Sequence, residues 1–218
     1  MMEKKYPILI PAKSISTRLP NKNKKLLPYT TRWLGENRDR AILLSDSLDL
    51  LELGRDLGIS GQFLTNQLGE IPTMLDWIEK ENYLGDWIIL LPLPQPLRYS
   101  NLLFDLDNFK NPENFDFITS YTWLPKRPIF EIDEDGKFIT ESSERMGKLC
   151  SKSRVLDGAI YLIKTSWIKE CCKFDNWNSK FWSGKIGLVE NNVPILDIDW
   201  ESDLDMFNNI LNTVKIIK

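Results

Sequence analysis

The apolar positions of this chain come mainly as short unbroken runs separated by segments with helical spacing. YPILIPA at Tyr6 to Ala12, AILL at Ala41 to Leu44 and WIILLPL at Trp87 to Leu93 show continuous rather than alternating apolarity. Runs of that length and kind fit strands covered on both faces, as in a parallel sheet. Between them, Leu48, Leu51 and Leu57 share a helical face behind the capping residue Ser47, and Gly58 marks the end of that helix. The alternation continues with a strand at Gln62 to Leu64 and a helix over Pro72 to Glu81 that carries Met74, Leu75 and Ile78. A further helix follows Ser100, strands are predicted at Phe117 to Tyr121, Gly158 to Lys164, Lys185 to Val189 and Ile195 to Ile198, and a last helix starts near Glu201. TTRWLGENRDR, ahead of Ala41, is a poor helical pattern. Strands alternating with helices in this way predict an α/β fold.

One segment breaks that rhythm. IFEIDEDGKFIT, Ile129 to Thr140, has two β-prone arms around Asp135-Gly136, which is a hairpin signal. With the polar stretch TESSERMGKLCSKSR after it, residues 121–154 form an expected excursion from the sheet. Ile129, Phe130, Ile132, Phe138 and Ile139 are too apolar to face water, so either the same chain or a second copy must cover them.

At 218 residues the expectation is a single domain, and 42% hydrophobic with 27% charged residues rules out a disordered chain. The absence of histidine excludes a Ser-His-Asp triad, a Cys-His pair and the usual zinc ligands, so acid–base work would fall to carboxylates, Lys, Tyr or a metal-bound hydroxide. Three cysteines, two of them adjacent at Cys171 and Cys172, make no disulfide framework. A net charge of -3 argues against a nucleic-acid partner. No run is long enough to span a bilayer and the N-terminal apolar run is too short for a signal peptide, so no membrane association and a cytoplasmic location are expected.

Candidate chemistry concentrates in three places. Lys13 to Asn23, KSISTRLPNKN, crowds cations and hydroxyls between a strand and the next element, which suits a polyphosphate through backbone N–H groups, hydroxyls and positive charge; a solvated surface turn would read the same way. Asp197 and Asp199, two apart in an extended segment, lie on one side of the pleat and could share Mg²⁺. Helix capping or a helix-dipole role is the alternative for Asp199 or Glu201. Arg98 follows the strand WIILLPLPQ, where ligands of open α/β sheets gather, although a surface arginine beside a turn is the commoner case.

Taken in order, these segments resemble the acylneuraminate (CMP-sialic acid) and CMP-Kdo cytidylyltransferase family across nearly the whole chain. IPAKSISTRLPNKN is similar to its I-P-A-R-x-G-S-x-R-x-P-x-K-N signature, PLR to the end of Q-P-T-S-P-L-R, and DEDGKFI to its D-E-D-G hairpin. LDGAIYLIK, GKIG and LDIDWESDLDMF resemble its N-G-A-I-Y strand, its G-K-I-G and its D-I-D-x-x-x-D-L ending. The resemblance implies a doubly wound, mostly parallel, mixed sheet of nucleotidyltransferase type with an inserted dimerisation hairpin, working as a homodimer. It implies transfer of CMP from CTP to the anomeric hydroxyl of an acidic 2-keto sugar, with Mg²⁺ as cofactor. Carried over, Ala12, Lys13, Ser16, Arg18, Lys22 and Asn23 would bind the nucleotide, with Lys22 and Arg18 catalytic. Gln95, Arg98, Tyr161, Phe181 and Trp182 would meet the sugar, core packing being the alternative for the aromatic pair. Asp197 and Asp199 would hold the metal, and Arg145 or Lys148 would reach a neighbour's sugar pocket. Lys13 replaces the family's Arg, Ser14 and Ile15 replace its small positions, and Pro92, Leu93, Pro94 and Gln95 replace Q-P-T-S. Those departures keep a second reading open, a catalytically silent homologue that binds nucleotide, sugar acid or a protein partner. A third is a nucleotidyltransferase with another NTP or acceptor.

Overall fold

The computed structural model describes residues 6–64, 69–125 and 152–217. The hairpin expected at Ile129 to Thr140, and Arg145 and Lys148, lie outside them. The described strands are β1 (Ile8–Ala12), β2 (Ala41–Ser45), β3 (Ser60–Phe63), β4 (Trp87–Leu90), β5 (Phe117–Pro125), β6 (Lys152–Lys164) and β7 (Ile186–Glu190). They form one sheet in the order β3-β2-β1-β4-β6-β5-β7. Every pairing is parallel except the two made by β6, which runs against both β4 and β5, so the sheet is mixed but mostly parallel.

Successive side chains of β1 point to opposite faces and both are buried, which is why its sequence shows no alternation. Ile8, Ile10 and Ala12 enter one core with Leu26 and Leu27 of α1 (Lys22–Leu34), Leu50 of α2 (Leu48–Asp56), Leu102, Leu103 and Leu106 of α4 (Leu102–Asp107) and Phe207 of α7 (Glu201–Ile217). Leu9 enters the other, with Met74, Trp77 and Ile78 of α3 (Glu70–Lys80), Ile168 of α5 (Thr165–Cys171) and Phe181 of α6 (Trp177–Trp182). Helices on both faces make the sheet doubly wound.

Three local expectations need correction. The chain before β2 is helical: α1 runs to Leu34 and a 3₁₀ turn, Gly35–Arg40, completes the connection. Its buried stripe is Leu26, Leu27, Thr30, Thr31 and Leu34, so two threonines stand where apolar residues would signal a helix, and the Thr31 hydroxyl donates back to the Leu27 carbonyl at 3.1 Å. In α2, Ser47 caps as expected, accepting from Leu50 N at 3.3 Å, but the helix buries Leu50 and Gly54 while Leu48 is exposed. Ile195 to Ile198 does not join the sheet; Pro194 has no N–H to donate, and the segment's Ile198 N–H reaches only the Pro94 carbonyl, at 2.9 Å, beyond the end of β4. Leu196 and Ile198 are still buried and Asp197 exposed, so extended alternation survives without a ladder.

Candidate active site

A crevice opens past the carboxyl ends of β1 and β4, where the chain from β1 leaves toward β2 on one side and β4 lies on the other. Open α/β sheets bind ligands at such a switch point. The crevice comprises two hollows of about 290 and 350 Å³ that share Arg18, Lys22, Glu70, Pro92 and Pro94.

The smaller hollow is walled by the basic loop after β1, including Lys13, Ser16, Arg18, Lys22 and Asn23. Ala12 is buried behind it, its carbonyl accepting from the Ser45 hydroxyl at 2.7 Å. The loop is pinned at both ends. Asp46 accepts from Ser14 N at 2.6 Å and from the Ser14 hydroxyl at 3.1 Å, while Asn23 Nδ2 donates to the Lys13 carbonyl at 2.8 Å. Neither Ser14 nor Ile15 takes a left-handed conformation, so the loop closes without a glycine at either position. Asn21 does, at φ 58°, and turns the chain into α1 so that Lys22 is its first residue. The positive end of a 13-residue helix therefore faces the crevice.

Lys22 and Arg18 converge on one carboxylate from the far end of the chain. Lys22 Nζ lies 2.8 Å from Asp199 Oδ1 and Arg18 2.6 Å from Oδ2, with the Lys22 side chain only 12% exposed. The Arg18 guanidinium also lies over the Trp200 ring. Asp203, in the first turn of α7, accepts from the backbone N–H of Asp199 and Trp200 at 2.9 and 2.8 Å, and these bonds lower its pKa. That cap fixes the turn from which Asp199 projects. Asp197 lines the larger hollow beside Asp199, and its pKa is raised, first by desolvation and then by the Asp199 charge. Among the described residues no group of three or more metal-ligating side chains occurs. A hard cation at Asp197 and Asp199 would complete its shell with substrate oxygens, which is the ordinary habit of Mg²⁺.

The larger hollow has an aromatic wall. Tyr161, Trp177, Phe181 and Trp182 line it with Gln95 and Gly158. Phe181 is buried and stacked on Phe117 with centroids 4.3 Å apart, whereas Trp182 is exposed. Burial and then the charge of Glu70 push the Tyr161 phenol up to about 12, so it remains a protonated donor at neutral pH. Gly158, at φ +67°, sits in a wide bulge where Ser120 alone stands opposite the chain between Leu156 and Tyr161. A Cβ there would only touch the Tyr161 hydroxyl and the Gln95 amide, so it is the positive φ that favours glycine.

Arg98 is not brought to either hollow. Its guanidinium points inward, donating to the Ala159 carbonyl at 2.8 Å and to the Pro92 carbonyl, and lies over the Trp33 ring. Burial lowers its pKa to about 9 while nearby Asp157 raises it. Asp157 in turn accepts from Ser120, Ala159 N and Asn191 Nδ2, and the Asn191 side chain ties Leu97 and Tyr99 to the same knot. The knot joins the loop carrying Gln95 to the bulge carrying Gly158. Two residues of the crevice, Glu70 and Trp177, went unmarked by sequence reasoning. Glu70 lies just ahead of the helix expected from Pro72, and nothing in the sequence around it marks a ligand site.

A mostly parallel, doubly wound sheet with a basic loop and a helix N-terminus at its switch point is the architecture of the nucleotidyltransferases. In fold the chain superposes on the CMP:2-keto-3-deoxy-manno-octonic acid synthetase complexed with CTP, at TM-score 0.65 and 12% identity over 96% of this chain and 99% of that one. A cytidylyltransferase from Leptospira borgpetersenii serovar Hardjo-bovis gives 0.61 and 19% over 93% and 84%. HddC from Yersinia pseudotuberculosis complexed with GMP-PN gives 0.60 and 13% over 91% and 96%. No family model and no curated protein matches the sequence. At these identities the likeness is one of fold.

Proposed function

We propose that this protein is a Mg²⁺-dependent cytidylyltransferase that transfers CMP from CTP to a hydroxyl of a sugar-like acceptor with release of pyrophosphate. The observation that carries the reading is the convergence of Lys22, Arg18 and the α1 N-terminus with Asp199, at the seam between a basic hollow and an aromatic one. The basic hollow suits a triphosphate and the aromatic hollow an acceptor. CTP is the nucleotide bound in one structural neighbour, and the motif resemblance points to the anomeric hydroxyl of a 2-keto sugar acid as the attacking group.

In this mechanism the acceptor oxygen bonds to the α-phosphorus, the bond to the pyrophosphate oxygen breaks, and the hydroxyl proton passes to water. Lys22 and Arg18 exchange Asp199 for phosphate oxygens and offset charge that grows as the bond breaks. Asp197 and Asp199 fit Mg²⁺, which when bound supplies positive charge to the phosphates and polarises the acceptor. Tyr161 donates a hydrogen bond to the acceptor, and Trp182 covers it. Pairing of two copies through residues 121–154 is part of the same proposal.

The second reading, a silent homologue, is favoured by one observation: Asp46 occupies the Ser14 N–H that an open phosphate loop would offer to its ligand. Incubation with CTP, Mg²⁺ and a panel of keto-sugar acids, neutral sugars and sugar phosphates, with measurement of pyrophosphate, separates the two. Acceptor-dependent release supports the transferase. CTP binding without release by any acceptor supports the silent homologue.

A further inference from the structure

Two hydrogen-bond acceptors on the wall of the aromatic hollow have no protein donor among the described residues. Glu70 is exposed to the crevice and lines both hollows, and among the described residues its carboxylate has neither an ion pair nor a side-chain hydrogen bond. The two cations that share those hollows, Lys22 and Arg18, are held by Asp199 instead. Gln95, which lines the larger hollow, adds a second such group: its Oε1 is buried and has no partner among the described residues. The Gln95 amide and the Tyr161 hydroxyl meet at Gly158, lying 3.7 and 3.4 Å from the place a Cβ would take there. Glu70 and Tyr161 line the same hollow, and Glu70 exerts the largest charge effect on the Tyr161 phenol.

An unpartnered buried acceptor is costly, and one that lines a cavity is relieved by a ligand that brings donors. Hydroxyl groups donate and accept, so they can serve Glu70, Gln95 and Tyr161 together. A carboxylate only accepts, and at this place it would meet the charge of Glu70. The geometry points to Glu70 as a specificity-determining residue: with Gln95 it accepts hydrogen bonds from the hydroxyls of a polyhydroxylated acceptor, and the acid group of a sugar acid is turned away from α3. This deepens the transferase reading and rests on it.

The test uses the full chain with CTP, Mg²⁺ and the acceptor that supports turnover. Hydrogen bonds to a charged group set the scale, so Glu70→Ala should raise the acceptor KM by about 10- to 100-fold. The kcat should stay within about threefold of wild type, since truncation here removes binding made equally in ground and transition states, and CTP should bind no more weakly than to wild type, since loss of a carboxylate from the wall that both hollows share can only relieve repulsion of the triphosphate. Glu70→Gln keeps one acceptor oxygen and should recover most of the loss. An acceptor analogue lacking the contacted hydroxyl should have the same KM in wild type and Glu70→Ala. An unchanged acceptor KM in Glu70→Ala overturns the assignment, as does a raised CTP Kd with acceptor KM intact. If wild-type protein turns over no acceptor, the transferase reading fails by itself. The Glu70 claim is then decided by titrating the same panel and following heat by calorimetry, where equal polyol binding by wild type and Glu70→Ala overturns it.

Discussion

Replacement of Lys22 by alanine should separate the structural share of this residue from its chemical share. The pair it makes with Asp199 is neither on the surface nor fully inside: the Lys22 and Asp199 side chains are 12% and 22% exposed and 2.8 Å apart. Exposed pairs contribute about 0–1 kcal/mol, and removing one member of a buried pair costs about 3–5 kcal/mol because a charge is left alone. In Lys22→Ala that second penalty is largely absent, since Asp199 keeps Arg18 at 2.6 Å. The expected loss of stability is therefore about 1 kcal/mol, a fall in Tm of about 2–4 °C for a chain of this size. The chemical loss should be much larger. Preorganised positive charge at the reacting phosphate is worth roughly 10²- to 10³-fold in kcat when a single donor is removed. Pyrophosphate release at saturating CTP, alongside thermal unfolding of the same preparation, measures both. A variant with wild-type kcat and only a raised KM for CTP would refute the assignment to the transition state, and a Tm drop well beyond the predicted few degrees would show that Lys22 chiefly holds the fold.

Asp197→Asn should abolish turnover yet be at least as stable as wild type at pH 7. A carboxyl whose folded pKa is raised lowers stability when ionised, so the wild type should close the gap as pH falls through that pKa; a lower Tm for the variant at neutral pH would contradict this. Gly69→Ala should destabilise by roughly 1–3 kcal/mol, because Gly69 holds φ +149° and a Cβ there would press into the Trp177 ring; an unchanged Tm sinks the argument. Arg98→Met should cost roughly 2–4 kcal/mol by leaving the Pro92 and Ala159 carbonyls unserved, and should raise the acceptor KM more than the CTP Kd. Wild-type stability in that variant would remove Arg98 from its positioning role.

The strands and the site loop were legible in the chain because their signals are local. Unbroken apolarity at Tyr6 to Ala12 and Trp87 to Leu93 reports a sheet covered on both faces, and a basic loop after the first strand reports where an anion could sit. Helix α1 was hidden for an equally physical reason: its buried stripe uses Thr30 and Thr31, the latter bonded back to the Leu27 and Pro28 carbonyls, so its polar composition conceals its buried face. What no local pattern carries is which distant group answers a given side chain. Lys22 and Asp199 are 177 positions apart, and the carboxylate that restrains Ser14 belongs to Asp46 after β2.

Arg98 shows most clearly how a motif can be read correctly and its role still depend on the fold. The residue does follow β4, in the loop beyond its carboxyl end, where an arginine could serve a ligand. However, three elements compete for its guanidinium there: the Pro92 carbonyl of its own loop, the Ala159 carbonyl of the β6 bulge, and the charge of Asp157. Two backbone acceptors, together with a buried carboxylate, offer more to a guanidinium than open solvent does, and the side chain turns inward. Its influence on an acceptor would then be exerted through Gln95 and Gly158, whose loop and bulge it joins. The cost of the buried charge is offset only while both carbonyls stay in place, so the loop after β4 and the bulge in β6 are held together as one wall of the crevice.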